Sequence, residues 1–267
     1  MKNIILDIQH ISKSFYNKTS GKNFVLKDFN LEIEANKITA LIGGNGTGKT
    51  TLFNIISRFI SADEHKNSKI LFNGENLLDL HAHQLAGKGI GRLFQDTRIF
   101  PGLSILENMC VADINRFGEK PFESLVFFKK NQMIEANRIK KALQILTELF
   151  GEESLFVANP SMLAGNLSYG QQRLLGLARL LMGNYKLLLL DEPTAGVHPK
   201  LNEKIAEIIL LLKEQEKTVF LIEHNMSFVR KTADRVAFIN EHKIFIQGTP
   251  AEVLNNKKVQ KYYLGII

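Results

Sequence analysis

Eight consecutive residues, Gly43-Gly44-Asn45-Gly46-Thr47-Gly48-Lys49-Thr50, fit G-x-x-x-x-G-K-[ST] in full, a pattern suited to holding phosphate. Without a β-carbon in the way, the glycine backbone N–H groups can converge on phosphate oxygens. Lys49 would then reach the β- and γ-phosphates of a nucleoside triphosphate, and the Thr50 hydroxyl would ligate Mg²⁺. A glycine-rich turn is the plainer reading. It does not explain why every fixed position is filled and why a strand pattern precedes the loop and a helical one follows.

A second group of polar residues stands at strand ends. Leu187 to Leu190 is followed directly by Asp191-Glu192, which places two carboxylates at the carboxyl edge of a buried strand, where α/β sheets hold their ligands. Asp191 can hold Mg²⁺ through water, and Glu192 can orient and deprotonate an attacking water. In isolation Asp-Glu-Pro-Thr could simply start a helix. His224 ends the strand pattern Thr218 to Ile222 after Glu223, where an imidazole can hydrogen-bond a γ-phosphate. Gln95, after Arg92-Leu93-Phe94, is an amide able to contact Mg²⁺ or water.

In Leu167-Ser168-Tyr169-Gly170-Gln171-Gln172, Ser168 and Gln171 form the S-x-x-Q version of a capping box. Most such boxes do no more than begin a helix. The geometry also turns backbone N–H groups, a hydroxyl and the positive end of a helix dipole outward, where an anion is stabilised.

These groups need a scaffold. Ile4 to Ile8, Phe24 to Leu26 and the alternation Phe29, Leu31, Ile33 read as half-buried antiparallel strands, and Ile38 to Ile42 as a buried strand ending in the glycine loop. From Ile105 to Phe150 the period becomes helical, with Met133, Ala136, Ile139, Ala142, Leu143, Leu146 and Leu149 on one face. A helix near Gln171 to Met182 follows. The uninterrupted Leu187 to Leu190 suits a central parallel strand, Leu201 to Leu212 an amphipathic helix, and Thr218 to Ile222 another buried strand. Val236 to Ile239 with Lys243 to Ile246 predicts a hairpin, and Thr249 with Pro250 starts a short helix. The expectation is one domain over 1–267 with an α/β core, an antiparallel N-terminal part and a helical insertion roughly within 96–183.

Composition narrows the class. The 267 residues are 45% hydrophobic, enough for an ordinary core. Met1 to His10 carries Lys2, Asp7 and His10 and is neither signal peptide nor membrane span, and no apolar run approaches the roughly 20 residues a bilayer requires. The single cysteine, Cys110, excludes an internal disulfide and a cysteine metal cluster, and fits a reducing, cytoplasmic setting. The net charge of +7 comes from scattered pairs such as Lys129-Lys130, Lys140-Lys141 and Lys257-Lys258. They lack the aromatic interleaving of a single-strand binder, so solvated helix faces account for them and no nucleic-acid partner is expected.

The ordered set resembles the nucleotide-binding subunit of an ATP-binding cassette (ABC) transporter, over essentially the whole chain. The resemblance implies a P-loop NTPase core that hydrolyses ATP with Mg²⁺. Gly43 to Thr50 would be the Walker A loop with Thr51 adjoining it, Gln95 the Q-loop, Leu167 to Gln172 the signature, and Leu187 to Asp191 Walker B. Glu192 would be the catalytic base, His224 the switch histidine and Phe15 the aromatic that stacks on adenine, with Tyr16 second to it. Thr50, Gln95 and Asp191 would serve the metal. Ser168, Gly170 and Gln171 would meet the ATP of an opposite subunit, in a homodimer or a heterodimer with a related ATPase. The helical insertion, hinged near Gln95, would dock on integral membrane permease subunits and indirectly serve a solute-binding protein. The chain would then lie at the inner face of the membrane.

A finer resemblance is to the importer subunits for branched-chain amino acids. It rests on Ser168 to Gln172, Glu192 to Gly196, Arg92 to Gln95 with Arg98-Ile99-Phe100, Glu107-Asn108 and the tail Tyr263-Leu264-Gly265. Urea or amide importers and a lipopolysaccharide-export ATPase share much of this, and a non-transport ABC ATPase or a small-molecule kinase are the readings from other classes. Three departures stand out. His198 occupies the D-loop aspartate position, Ser61 to Lys69 lacks the usual Pro and Gly, and Tyr16 to Asn23 is lengthened.

Overall fold

The computed structural model describes residues 3–17, 21–63, 65–113 and 128–264. The expected features at 18–20 and 64, the part of the helical pattern within 114–127, Met1-Lys2 and Gly265 lie outside them. The chain forms two compact units, one of Met1–Gln95, Lys186–Ala195 and Asn202–Ile267, the other of Asp96–Tyr185 and Gly196–Leu201.

The first unit holds two sheets. β1 (Ile4–Asn17) and β2 (Gly21–Glu34) pair antiparallel, and β4 (Lys69–Phe72) and β5 (Glu75–Asn76) complete a four-stranded sheet in the order β2-β1-β4-β5. The pairing of β1 with β2 runs out to Tyr16 opposite Lys22 and Asn17 opposite Gly21. The second sheet has the order β10-β9-β3-β8-β7-β6. Its strands are β3 (Ile38–Gly43), β6 (Ile90–Leu93), β7 (Leu187–Asp191), β8 (Thr218–Ile222), β9 (Arg235–Asn240) and β10 (Lys243–Gly248).

Every residue of β3, β7 and β8 is buried, as their unbroken apolar runs require of parallel strands covered on both faces. Strands β9, β3, β8, β7 and β6 are parallel. β10 returns antiparallel through a tight turn whose Glu241 and His242 both have positive φ, the twist a two-residue hairpin favours. Phe53 of the helix Lys49–Ile56 packs against Phe220 of β8 with ring centroids 4.9 Å apart, in a core shared by β1, β2 and β7 residues.

In the second unit, the helices Ile105–Val111, Phe128–Phe150 and Tyr169–Met182 pack together. The predicted apolar face of Phe128–Phe150 is realised only in its later turns. Ala142, Leu146 and Leu149 are buried, while Ala136 is exposed and Met133 is 69% exposed. Around that end Arg138 pairs with Asp113 at 3.3 Å and Glu135 at 3.0 Å, so ion pairs replace core contacts there. Among the described residues no helix is long and apolar enough to cross a membrane.

Cys110 lies on the helix Ile105–Val111. Burial, and secondarily the Glu135 carboxylate, push its thiol up from 9.0 to about 11. Since the thiolate is the reactive species, iodoacetamide at pH 8 should modify it about a hundredfold more slowly than an ordinary thiol. Urea unfolding should abolish the difference, and equal rates in folded and unfolded chain would contradict this environment.

Candidate functional site

Parallel pairing carries the chemistry to one edge. Leu41 and Asp191 both stand level with Ile222, and Leu93 with Leu190. Four consecutive strands, β3, β8, β7 and β6, therefore end in the glycine loop, Glu223-His224, Asp191-Glu192 and the segment leading to Gln95. Strands with the same direction must deliver their carboxyl ends together.

The glycine loop opens the helix Lys49–Ile56 with Gly48 as N-cap, at φ 98°, with no capping side chain and no acidic residue in the first turn. The helix's first N–H groups and dipole therefore face the loop without an internal anion. Lys49 Nζ donates to the carbonyls of Gly43 and Gly44, each at 2.8 Å, and Thr47 Oγ1 donates to the Gly44 carbonyl at 2.9 Å. Burial lowers the pKa of the Lys49 ammonium, opposed by the charges of Glu192 and Asp191. Phosphate oxygens would restore what burial removes. Val25, Asn45, Gly46, Gly48, Lys49, Thr50, Thr51, Glu192 and His224 line a cleft of about 430 Å³ here, in the range of small-molecule sites. Glycine backbone, a lysine and an uncapped helix end fit a triphosphate. The Thr50 hydroxyl and Asp191 carboxylate are hard oxygen donors of the kind Mg²⁺ takes.

Glu192 stands at the centre of the polar contacts. His224 Nε2 lies 3.2 Å from its Oε1, and Gln95 Nε2 donates to its Oε2 at 3.2 Å. Its backbone has φ 46°, a left-handed conformation that costs a side-chain-bearing residue about 1–2 kcal/mol. Asp191 is buried, and Arg92 Nη2 reaches its Oδ2 at 3.2 Å. The Arg92 guanidinium lies 4.3 Å from the Phe94 ring centroid and donates to the Phe53 carbonyl at 3.2 Å.

Phe15 is 49% exposed on β1, with Lys13 Nζ 5.4 Å from its ring centroid. It does not figure among the described residues lining the cleft, where Val25 of β2 does. Val25 is an apolar strand residue that no motif marks. Arg92 and Glu223 were likewise missed as site residues, although both lie within the quoted motif segments.

Ser168, Gly170 and Gln171 belong to the second unit. The capping box is formed, with Ser168 N donating to Gln171 Oε1 at 2.9 Å and Gln171 N donating to Ser168 Oγ at 3.4 Å. A β-carbon on Gly170 would come within 2.5 Å of Leu201 Cδ1, so glycine lets this helix start approach Leu201. Tyr169 is 45% exposed beside Gly196, and His198 Nδ1 accepts from Lys200 N at 3.3 Å.

Residues 26–195 match the family model described as ABC transporter. The chain is 34% identical to the high-affinity branched-chain amino acid transport ATP-binding protein BraF of Pseudomonas aeruginosa, over 99% of this chain and 99% of that protein. It is 34% identical to the probable branched-chain amino acid transport ATP-binding protein LivG of Archaeoglobus fulgidus, over 98% of this chain and 95% of that protein. Among solved structures it superposes on a nucleotide-free ATP-binding cassette from an ABC transporter with a TM-score of 0.79 and 31% identity, covering 98% of this chain and 100% of that one. The ADP conformation of an ABC transporter cassette gives a TM-score of 0.78 at 31% identity, covering 98% and 99%. The chain belongs to the ABC transporter family, as one of its ATP-hydrolysing cassettes.

Proposed function

We propose that this chain energises import of branched-chain amino acids, and that hydrolysis is carried by Glu192. The supporting observation is the placement of the Glu192 carboxylate within 3.2 Å of both His224 Nε2 and Gln95 Nε2, at the rim of the glycine-loop cleft. Loop N–H groups and Lys49 bind the β- and γ-phosphates, and Thr51 flanks them. Phe15 serves the adenine. Glu192 orients a water and takes its proton as the water attacks the γ-phosphorus and the bond to the β–γ bridging oxygen breaks, releasing ADP, while His224 hydrogen-bonds the γ-phosphate oxygens. Thr50, Asp191 and Gln95 would hold Mg²⁺, which would supply positive charge against the phosphates.

The face built from Ser168, Gly170 and Gln171 serves the ATP of a second cassette, identical or related. ATP then favours the closed pair because contacts across it exist in that state alone. The helical insertion, roughly within 96–183, docks on membrane-spanning permease subunits and so holds the chain at the inner face of the cell membrane, with a solute-binding protein further along the path.

The cargo assignment is supported by BraF and LivG, named for branched-chain amino acid transport, and by Ser168 to Gln172 and Glu192 to Gly196. Purification from native membranes in mild detergent should recover polytopic membrane proteins with this chain. In cells, leucine, isoleucine and valine should compete for uptake while urea does not. Competition by urea alone would overturn the cargo. Absence of any membrane partner would favour a non-transport ATPase.

A further inference from the structure

Glu223 is 2% exposed and does not figure among the described residues lining the cleft. Its Oε1 accepts from Thr194 N at 3.0 Å and Thr194 Oγ1 at 2.7 Å, and its Oε2 accepts from His224 N at 2.9 Å and Asn225 N at 3.1 Å. All four donors are neutral, and they come from two chain segments, one following β7 and one following β8. A buried carboxylate is costly unless its oxygens are hydrogen-bonded, and here both are. An apolar residue of similar volume would leave those four donors without an acceptor.

Those two segments carry the pair in contact. Thr194 stands two residues after Glu192, and His224 directly follows Glu223. The left-handed backbone of Glu192 persists only where its surroundings over-determine it. Glu192 N donates to the Ile222 carbonyl at 3.0 Å, Ala195 N donates to the Glu192 carbonyl at 3.1 Å, and the Thr194 anchor fixes the residue between. We propose that Glu223 is a positioning residue for hydrolysis: its carboxylate fastens the loop after Glu192 and the backbone of His224 to one point, and so sets the geometry between those side chains. The inference rests on the roles given above to Glu192 and His224. Glutamine cannot replace this carboxylate, because its NH₂ would face one of the two donor pairs.

The test is steady-state ATP hydrolysis by the full chain with Glu223→Gln, Thr194→Val, Thr194→Ser and Glu192→Gln. Glu223→Gln should lower kcat by roughly ten- to a hundredfold, as expected of a small misplacement of reacting groups, with KM for ATP within about threefold of the parent. Thr194→Val, which loses one donor, should lower kcat less, and Thr194→Ser, which keeps it, should match the parent. A Glu223→Gln enzyme with parental kcat overturns the inference, as does a change confined to KM. Should Glu223→Gln fail to fold, equal kcat for the Val and Ser variants overturns it instead. Loss of turnover in Glu192→Gln with an unaltered Glu223→Gln rejects this inference alone, whereas retained turnover in Glu192→Gln removes the site assignment beneath it.

Discussion

Glu192→Gln is expected to slow ATP hydrolysis by roughly 10² to 10⁴, the range for loss of a general base, while ATP still binds. Glutamine keeps the shape of the side chain but cannot take a proton. It also has one amide oxygen where glutamate offers Oε1 to His224 and Oε2 to Gln95, so one contact weakens as well. The phosphate-binding groups, the loop and Lys49, are untouched. The loss should therefore fall on kcat and spare KM. With hydrolysis blocked and binding intact, the ATP-bound pair should accumulate and elute earlier from gel filtration with ATP than without. Full turnover in this variant would remove Glu192 from the chemistry.

The phosphate loop was legible because its requirement is local. Each glycine, Lys49 and Thr50 acts through its own backbone or side chain, so their spacing states the chemistry. The leucine run before Asp191 was legible because only a strand covered on both faces tolerates it. Meeting of Glu192, His224 and Gln95 was readable only by assuming a common sheet edge, since it depends on the parallel register of β6, β7 and β8. Arg92 and Glu223 were opaque for the same reason carried further. Arg92 acquires its part from Asp191, 99 residues away, and Glu223 from Thr194, 29 residues away. Met133 misled because helical period names a face without saying how much of its length finds a partner.

Gly48→Ala should be far more damaging than Gly46→Ala, although both glycines have positive φ. Gly48 has φ 98°, and a β-carbon there would lie 2.8 Å from the Val25 carbonyl oxygen and 2.9 Å from Leu26 Cδ2 and Val25 Cγ1. Backbone cannot yield as the end of a flexible side chain can, so the loop must move away from β2. The backbone conformation alone costs about 1–2 kcal/mol, and the clash adds to it. A total of about 3 kcal/mol corresponds to a drop in Tm of roughly 6–12 °C at about 2–4 °C per kcal/mol. Gly46→Ala is the control: φ is 77°, but no atom lies within 4 Å of the added carbon. It should carry only the conformational cost, about 1–2 kcal/mol. Binding should separate the two further, because Gly48 is the N-cap of the helix whose first N–H groups face the phosphates. Moving it misdirects those donors and the adjacent Lys49 together, each charge-assisted contact being worth about 1.5–3 kcal/mol, so ATP affinity should fall more than about a hundredfold. Thermal melts and equilibrium binding of a fluorescent ATP analogue check both parts. Equal Tm and affinity for the two variants would show that the approach of Gly48 to Val25 does not constrain the loop.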